Sequence, residues 1–382
     1  MTPWKDTGIK GLGERLRAAR EGLGFSTREA VEKLKTHGIS ISHGTLANYE
    51  RGLTHPSEEK LNGLSKIYNR SIEWFHGSGY VLEGIRYRAL KAVTVSEKTQ
   101  YSNKATAWLD LYLYLESLLG QPLKPSLAIP PDDRSISGKD LAHSIRNICN
   151  LGDHPLPSSI RLLENFGVRV THIHTDARID AFAARFGGTR VIVLNSNLSA
   201  DRMRLTSLHE LAHHLYEDCL TGASLSHDEI EKRAFEFASY VLIPSIVLKK
   251  AFAYKSMVRL VEYKELYGIS LAAMVYRGRK ERLITQRTYQ KIWQQFSRLG
   301  FRKNEPGVVT PDRPIRLEAL IDFATMNRKI TFTHIAKRLN IEESEVKRRV
   351  VAAVGGITRG ANDPSAPNVV NFQTYKDGHD LT

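Results

Sequence analysis

Apolar residues recur at helical spacing along most of the chain and at strand spacing in one short stretch. Leu12, Leu16 and Ala19 mark a first helical stripe, stopped by Gly22 and Gly24. Ser26 or Thr27 is suited to cap a second helix over 27–35, with Ala30, Val31 and Leu34 inward. Ser42 is suited to cap a third over 44–51, and a fourth and fifth are predicted over 57–68 and 72–75. Gly77-Ser78-Gly79 is the first candidate boundary, and 85–104 is basic and weakly patterned. Helices are then predicted over 104–119, 137–149 and 158–166, with a proline-rich irregular stretch at 122–133. Residues 168–174 alternate, and 180–185 and 190–195 flank a Gly187-Gly188-Thr189 turn, which predicts a small antiparallel sheet. Leu205, Leu208, Ala212 and Leu215 mark a buried helix, and another is predicted over 228–242. Two helix–turn–helix pairs close the chain, 263–267 with 270–282 and 330–339 with 342–354. Helices before and after a small sheet make the expected class α+β, mostly helical.

Small helices joined by tight turns are how a helix-turn-helix domain is built. The segments FSTREAVEKL, SHGTLANYERG and HPSEEKLNGLSKIYNRSIEWF resemble the phage-repressor-like (Xre/Cro) helix-turn-helix family, with Tyr49-Glu50-Arg51-Gly52 and Pro56 the most specific piece. The turn THGISIS is several residues longer than the family's usual one. The resemblance implies a five-helix bundle in which Ser42, His43, Gly44, Thr45 and Asn48 face DNA and Arg51 sits near the backbone. Asn can grip adenine bidentately, and Ser, Thr and His can donate to bases or phosphates. Such modules usually work as dimers on paired half-sites, so a homodimer on a double-stranded operator is expected.

The length, 382 residues, gives room for two or three domains. No apolar run approaches the 18 or so residues of a membrane span, and the start MTPWKDTGIK lacks the apolar region of a secretory signal. With Cys149 and Cys219 alone there is neither a disulfide scaffold nor a cysteine zinc site, and a reducing cytoplasm with no membrane partner is expected. The net charge of +14 falls mostly on residues 245–382, which carry 25 basic and 13 acidic side chains. That excess suggests a polyanion partner. Arg277, Arg279, Lys280 and Arg282, and separately Lys347, Arg348 and Arg349, are candidate phosphate contacts, for single-stranded DNA among others. A solvated basic face over helical packing is the plainer reading of the same residues.

The chemical centre is Leu208-His209-Glu210-Leu211-Ala212-His213-His214, which contains His-Glu-x-x-His. Spacing i, i+4 sets His209 and His213 on one face, where both can bind one metal ion. Glu210 is positioned to act as general base. Zinc needs a third protein ligand and an open position. Glu217, Asp218, Asp228, Glu229, Glu231 and Glu236 are candidates, and Glu231 shares the inward face of Ala234 and Ala238. His214 lies about 100° around the helix from His213 and is not a ligand in this reading.

The run 204–213 and Glu231-x-x-Ala234-x-x-Phe237-Ala238-x-x-x-Leu242-Ile243-Pro244 resemble the ImmA/IrrE family of zinc metallopeptidases. IRYRAL at 85–90, IDAFA at 179–183 and YGISLAAMVYRGRKERLI at 267–284 fit the same layout. The resemblance implies one Zn2+ per chain on His209, His213 and Glu231, with Glu210 as base, in a zincin-like domain. Family members typically act on Xre-type repressors. The expected domains are therefore 1–78 (helix-turn-helix), 79–250 (zinc metallopeptidase), 251–355 (basic, helical, helix-turn-helix-like) and 356–382 (flexible tail). Two functions are compatible with the paired motifs. One is a DNA-binding regulator that cleaves a repressor, or itself, in response to a stress or mobile-element signal. The other is a DNA-binding regulator, in a toxin–antitoxin-like setting, whose zinc domain senses without proteolysis. Tyr216 and Tyr276 are candidates to stabilise the oxyanion.

Overall fold

The computed structural model describes residues 11–68, 70, 72–76, 80–89, 93–127, 136–217, 226–339 and 341–360. The glycines at 77–79, Asp218, Cys219, part of the proline-rich stretch and the tail beyond 360 lie outside the described residues. The chain divides into two compact units, Met1–Asp110 with Pro122–Pro314, and Leu111–Gln121 with Ile315–Thr382. No helix among the described residues is long and apolar enough to cross a membrane.

The first unit opens with five short helices, α1 (Gly11–Gly22), α2 (Thr27–Thr36), α3 (His43–Glu50), α4 (Glu58–Tyr68) and α5 (Ile72–His76). Ser26 starts α2 with a capping box to Glu29, and Ser42 caps α3 through the Thr45 N–H. Leu16, Ala30, Leu34, Leu46, Leu61, Leu64 and Phe75 form their own core. Gly13 lets α1 touch the end of α3: a Cβ there would stand 2.5 Å from the Tyr49 carbonyl. Arg20 of α1 then donates to both carboxylate oxygens of Glu50, at 2.6 and 2.8 Å, and to the Phe25 carbonyl. The pair is mostly buried, so Glu50→Ala leaves the Arg20 cation in the bundle with only the exposed Glu21 carboxylate, at 3.3 Å, as a counter-ion. That variant is expected to lose about 3 kcal/mol, read as a lower urea midpoint.

Strand β1 (Leu82–Ala89) and helix α6 (Val95–Leu119) follow. The weakly patterned stretch at 85–104 thus supplies, among its described residues, the end of β1 and the start of α6. Its strand half is at the sheet edge and bears charges on both faces, so no alternation shows. Helices α7 (Gly138–Ile148) and α8 (Ser159–Asn165) lead into β2 (Arg169–Ile173), β3 (Ile179–Phe186) and β4 (Thr189–Asn195). Gly187 and Gly188, at φ 55° and 74°, make the turn between β3 and β4. The sheet order is β1-β3-β4-β2. Pairs β1–β3 and β3–β4 are antiparallel, but β2 runs parallel to β4, so the sheet is mixed rather than antiparallel. Period-two alternation assigns a strand's faces and says nothing of its neighbour's direction.

Helix α9 (Ala200–Leu215) packs on β3 and β4, and α10 (His227–Leu242) packs on α9 and α7. Every residue of α9 from Met203 to Leu215 is buried, because sheet and helices surround it. The same core continues through α11 (Ser245–Ala253), α12 (Met257–Tyr267), α13 (Leu271–Lys280) and α14 (Gln286–Arg298). A loop after α14 returns to it. Glu305 accepts from the N–H groups of Leu271 and Ala272 at the start of α13 and from buried Lys264. Asp312 accepts from Ser158, from the Ser159 N–H and from Arg204 of α9 at 3.1 Å. Asp312→Ala leaves buried Arg204 without its counter-ion and the Ser159 N–H without its acceptor. A loss of about 3–5 kcal/mol is expected by chemical denaturation.

In the second unit α15 (Arg316–Met326), α16 (Phe332–Leu339) and α17 (Glu343–Gly360) pack on one another, with Leu320, Ile321, Ile335, Val346 and Val350 inward. Arg316 donates to Glu116 at 3.0 Å and to the Gln121 carbonyl.

Two of the candidate phosphate contacts are corrected by this packing. Arg277 is buried and donates to the Ser239 and Ile243 carbonyls at the end of α10. Arg349 is ion-paired to buried Glu318. Charge in the sequence is not charge on the surface when a helix end or a buried acid recruits the cation.

Candidate metal centre

Helix α9 carries His209 and His213 one turn apart, with ring centroids 5.0 Å apart. Both side chains are almost fully buried, and α10 brings Glu231 against them. Glu231 Oε2 lies 3.1 Å from His209 Nε2, and its Oε1 lies 3.6 Å from His213 Nε2. Glu231 stays about a third exposed, so the cluster has an open side. Donor atoms of His209, Glu210 and His213 lie within 4.8 Å of one another.

The remaining acidic candidates are engaged elsewhere. Glu217 is not solvent-facing: it is held by Arg185 and Arg190, at 3.1 and 2.8 Å. Glu229 closes the capping box with Ser226 at the start of α10, and Asp228 is exposed. Glu236 is half-buried, with its Cβ side against Gly138. Among the described acidic residues weighed from the sequence, Glu231 therefore approaches both histidines.

Burial governs the electrostatics. It drives the His209 imidazole down to about 3, against the hydrogen bond that the ring donates to Glu231, so the ring is neutral. Burial would raise Glu231, but the hydrogen bond accepted from His209 and the histidines around it outweigh that and hold the carboxylate at about 2. A neutral imidazole beside an ionised carboxylate is the protonation state that ligates metal. Burial also pushes Glu210 up to about 7. Among the described residues, both Glu210 oxygens and His209 Nδ1 are buried without a hydrogen-bond partner. Unpartnered buried donors and acceptors around two imidazoles and a carboxylate fit a zinc ion.

His214 turns away to the Val191 carbonyl, 3.0 Å from Nε2, and burial lowers it to about 4. The Tyr216 hydroxyl donates to the Ile136 carbonyl, and Arg233 stacks on its ring. Tyr276 packs edge-on against Phe235 at the surface. Sequence reasoning gave no role to Arg88 of β1 or Asp180 of β3, yet the charges of both act on Glu210. Their only sequence signal was that they fall within IRYRAL and IDAFA.

At the N-terminal bundle, Ser42, His43, Gly44 and Arg51 are exposed and Thr45 and Asn48 half-buried on α3 and its ends. Arg51 donates to Asn48 Oδ1 at 2.6 Å, and Ser42 and Thr45 share a hydrogen bond.

Residues 163–278 match the family model described as an IrrE N-terminal-like domain of peptidase family M78. Residues 11–73 match the model of a helix-turn-helix domain. Over 70 residues, 18% of this chain, the sequence is 39% identical to the HTH-type transcriptional regulator ImmR of Bacillus subtilis. That match spans 51% of ImmR, about half its length. The chain thus carries a helix-turn-helix domain and an IrrE N-terminal-like domain.

Proposed function

We propose that the protein is a DNA-binding transcription regulator whose central domain is a zinc metalloendopeptidase. The observation that carries the reading is the convergence of His209, His213 and Glu231 beside a buried, unpartnered Glu210. In this reading the helix-turn-helix domain ends at about residue 78, and the zinc domain runs past residue 250, because α11–α14 share its core. His209, His213 and Glu231 hold one zinc ion. When bound, zinc supplies a Lewis acid that polarises a carbonyl and acidifies water.

The chain's own residues do the rest. Glu210, raised to about 7, accepts the proton of the attacking water as the water oxygen bonds to the carbonyl carbon. It then delivers that proton to the amide nitrogen as the C–N bond breaks, leaving a carboxylate and an amine. The exposed side of Glu231 gives an extended peptide access.

The DNA-binding surface is Ser42, His43, Gly44, Thr45, Asn48 and Arg51, used by a homodimer on paired half-sites. The substrate is an Xre-type repressor or the chain itself. Pairing of a helix-turn-helix match, with ImmR as a relative, to an IrrE-like match supports this. The test is incubation of the zinc-loaded full chain with such repressors, read by mass spectrometry. Cleavage should stop with a chelator and return with zinc. Cleavage that survives chelation contradicts the zinc mechanism.

A further inference from the structure

Arg88 stands on β1, the outermost strand, opposite Ala181 of β3, and the ladder is irregular between Arg88 and Ala89. It lies outside the segment matched by the IrrE-like model. Its side chain is 24% exposed, yet its Nε is buried and has no hydrogen-bond partner among the described residues. Ala181, its partner across the ladder, is buried in one cluster with Leu208, Leu211 and Ala212 of α9, and residues paired across a ladder share a sheet face, so Arg88 stands on the face that α9 covers.

Arg88 Nε forms an ion pair with Asp180 Oδ2 at 3.7 Å, which is beyond hydrogen-bond reach and leaves its N–H without an acceptor. The same oxygen takes two bonds from Arg202, at 3.0 and 2.7 Å. A partly exposed guanidinium on the sheet face that α9 covers, with its Nε–H making no hydrogen bond, can donate to an oxygen brought to that face.

We propose that Arg88 is a substrate-contacting residue, donating guanidinium N–H groups to the carbonyl oxygen of the scissile bond. As water adds to the carbonyl carbon, the C=O electron pair moves onto that oxygen, and Arg88 offsets the charge. The pair returns when the C–N bond breaks, with the proton carried to nitrogen by Glu210. This inference rests on the peptidase reading.

The test uses the full chain loaded with one equivalent of cobalt, whose visible absorption reports the ligands around the metal, and inorganic phosphate as a tetrahedral anion. Phosphate should shift the wild-type spectrum saturably. Arg88→Ala should keep one cobalt per chain and bind phosphate about tenfold or more weakly. Arg88→Lys should fall between the two. Equal phosphate affinity in Arg88→Ala and wild type, or no phosphate response in wild type, overturns the proposal. So does loss of cobalt from both Arg88→Ala and Arg88→Gln, which would make the residue a structural support. If wild type takes no cobalt, or His213→Ala takes it with an unchanged spectrum, the metal reading itself fails and Arg88 falls with it.

Discussion

Glu210→Gln is expected to cut cleavage between about a hundredfold and ten-thousandfold while zinc content stays at one per chain. The amide has nearly the shape of the carboxylate and cannot take a proton. Because Glu210 is fully buried with both oxygens unpartnered among the described residues, no neighbour is positioned to stand in for it. The same substitution has a second signature, in stability. The folded carboxyl is raised from 4.5 to about 7. Its contribution is therefore fully present below pH 4.5 and lost as pH rises through 7. In the metal-free chain Glu210→Gln removes that loss. At pH 8 the variant should be more stable than wild type by about 3 kcal/mol, with no difference near pH 4. Denaturant titrations at the two pH values read this directly. A variant that cleaves like wild type would remove Glu210 from the chemistry. One that regulates normally while neither protein cleaves any repressor would favour a sensing domain.

Glu231→Ala and His213→Ala are each expected to drop zinc from about one per chain to near zero at micromolar protein. The argument is geometric. Two imidazoles on one helix turn are too few to close a zinc site, and the third donor comes from a different helix. Atomic absorption on freshly desalted protein measures it. His214→Ala makes the contrast: its ring faces the Val191 carbonyl, so zinc should remain. If Glu231→Ala retains full zinc, the third ligand is another residue and the 3.1 Å contact to His209 is only a hydrogen bond.

Much of this arrangement is legible in the chain. The repeat of apolar residues every three to four positions marks α2, α4, α7, α10 and α16, because a helix with one buried face must carry that repeat. The spacing of His209 and His213 needs only helical geometry to bring the rings together. The inward face of Ala234 and Ala238 carries Glu231 toward α9. What escaped depends on contacts between distant residues. Strand β1 reads as a basic linker because an edge strand need not alternate. The direction of β2 depends on which partner it meets. Arg277 and Glu217 look like surface charges until the α10 carbonyls and the arginines of β3 and β4 are brought beside them. No local pattern records such a neighbour.

The clasp between Arg204 and Asp312 also bears on inheritance. Arg204 lies inside the segment shared with IrrE-like domains, whereas its counter-ion lies 34 residues past the end of that segment, at 312 against 278. A gene exchange that moved only the shared segment would transplant a buried cation without its anion. The piece that can travel intact between proteins is therefore longer than the piece that is recognisably alike, and a viable crossover belongs beyond Asp312.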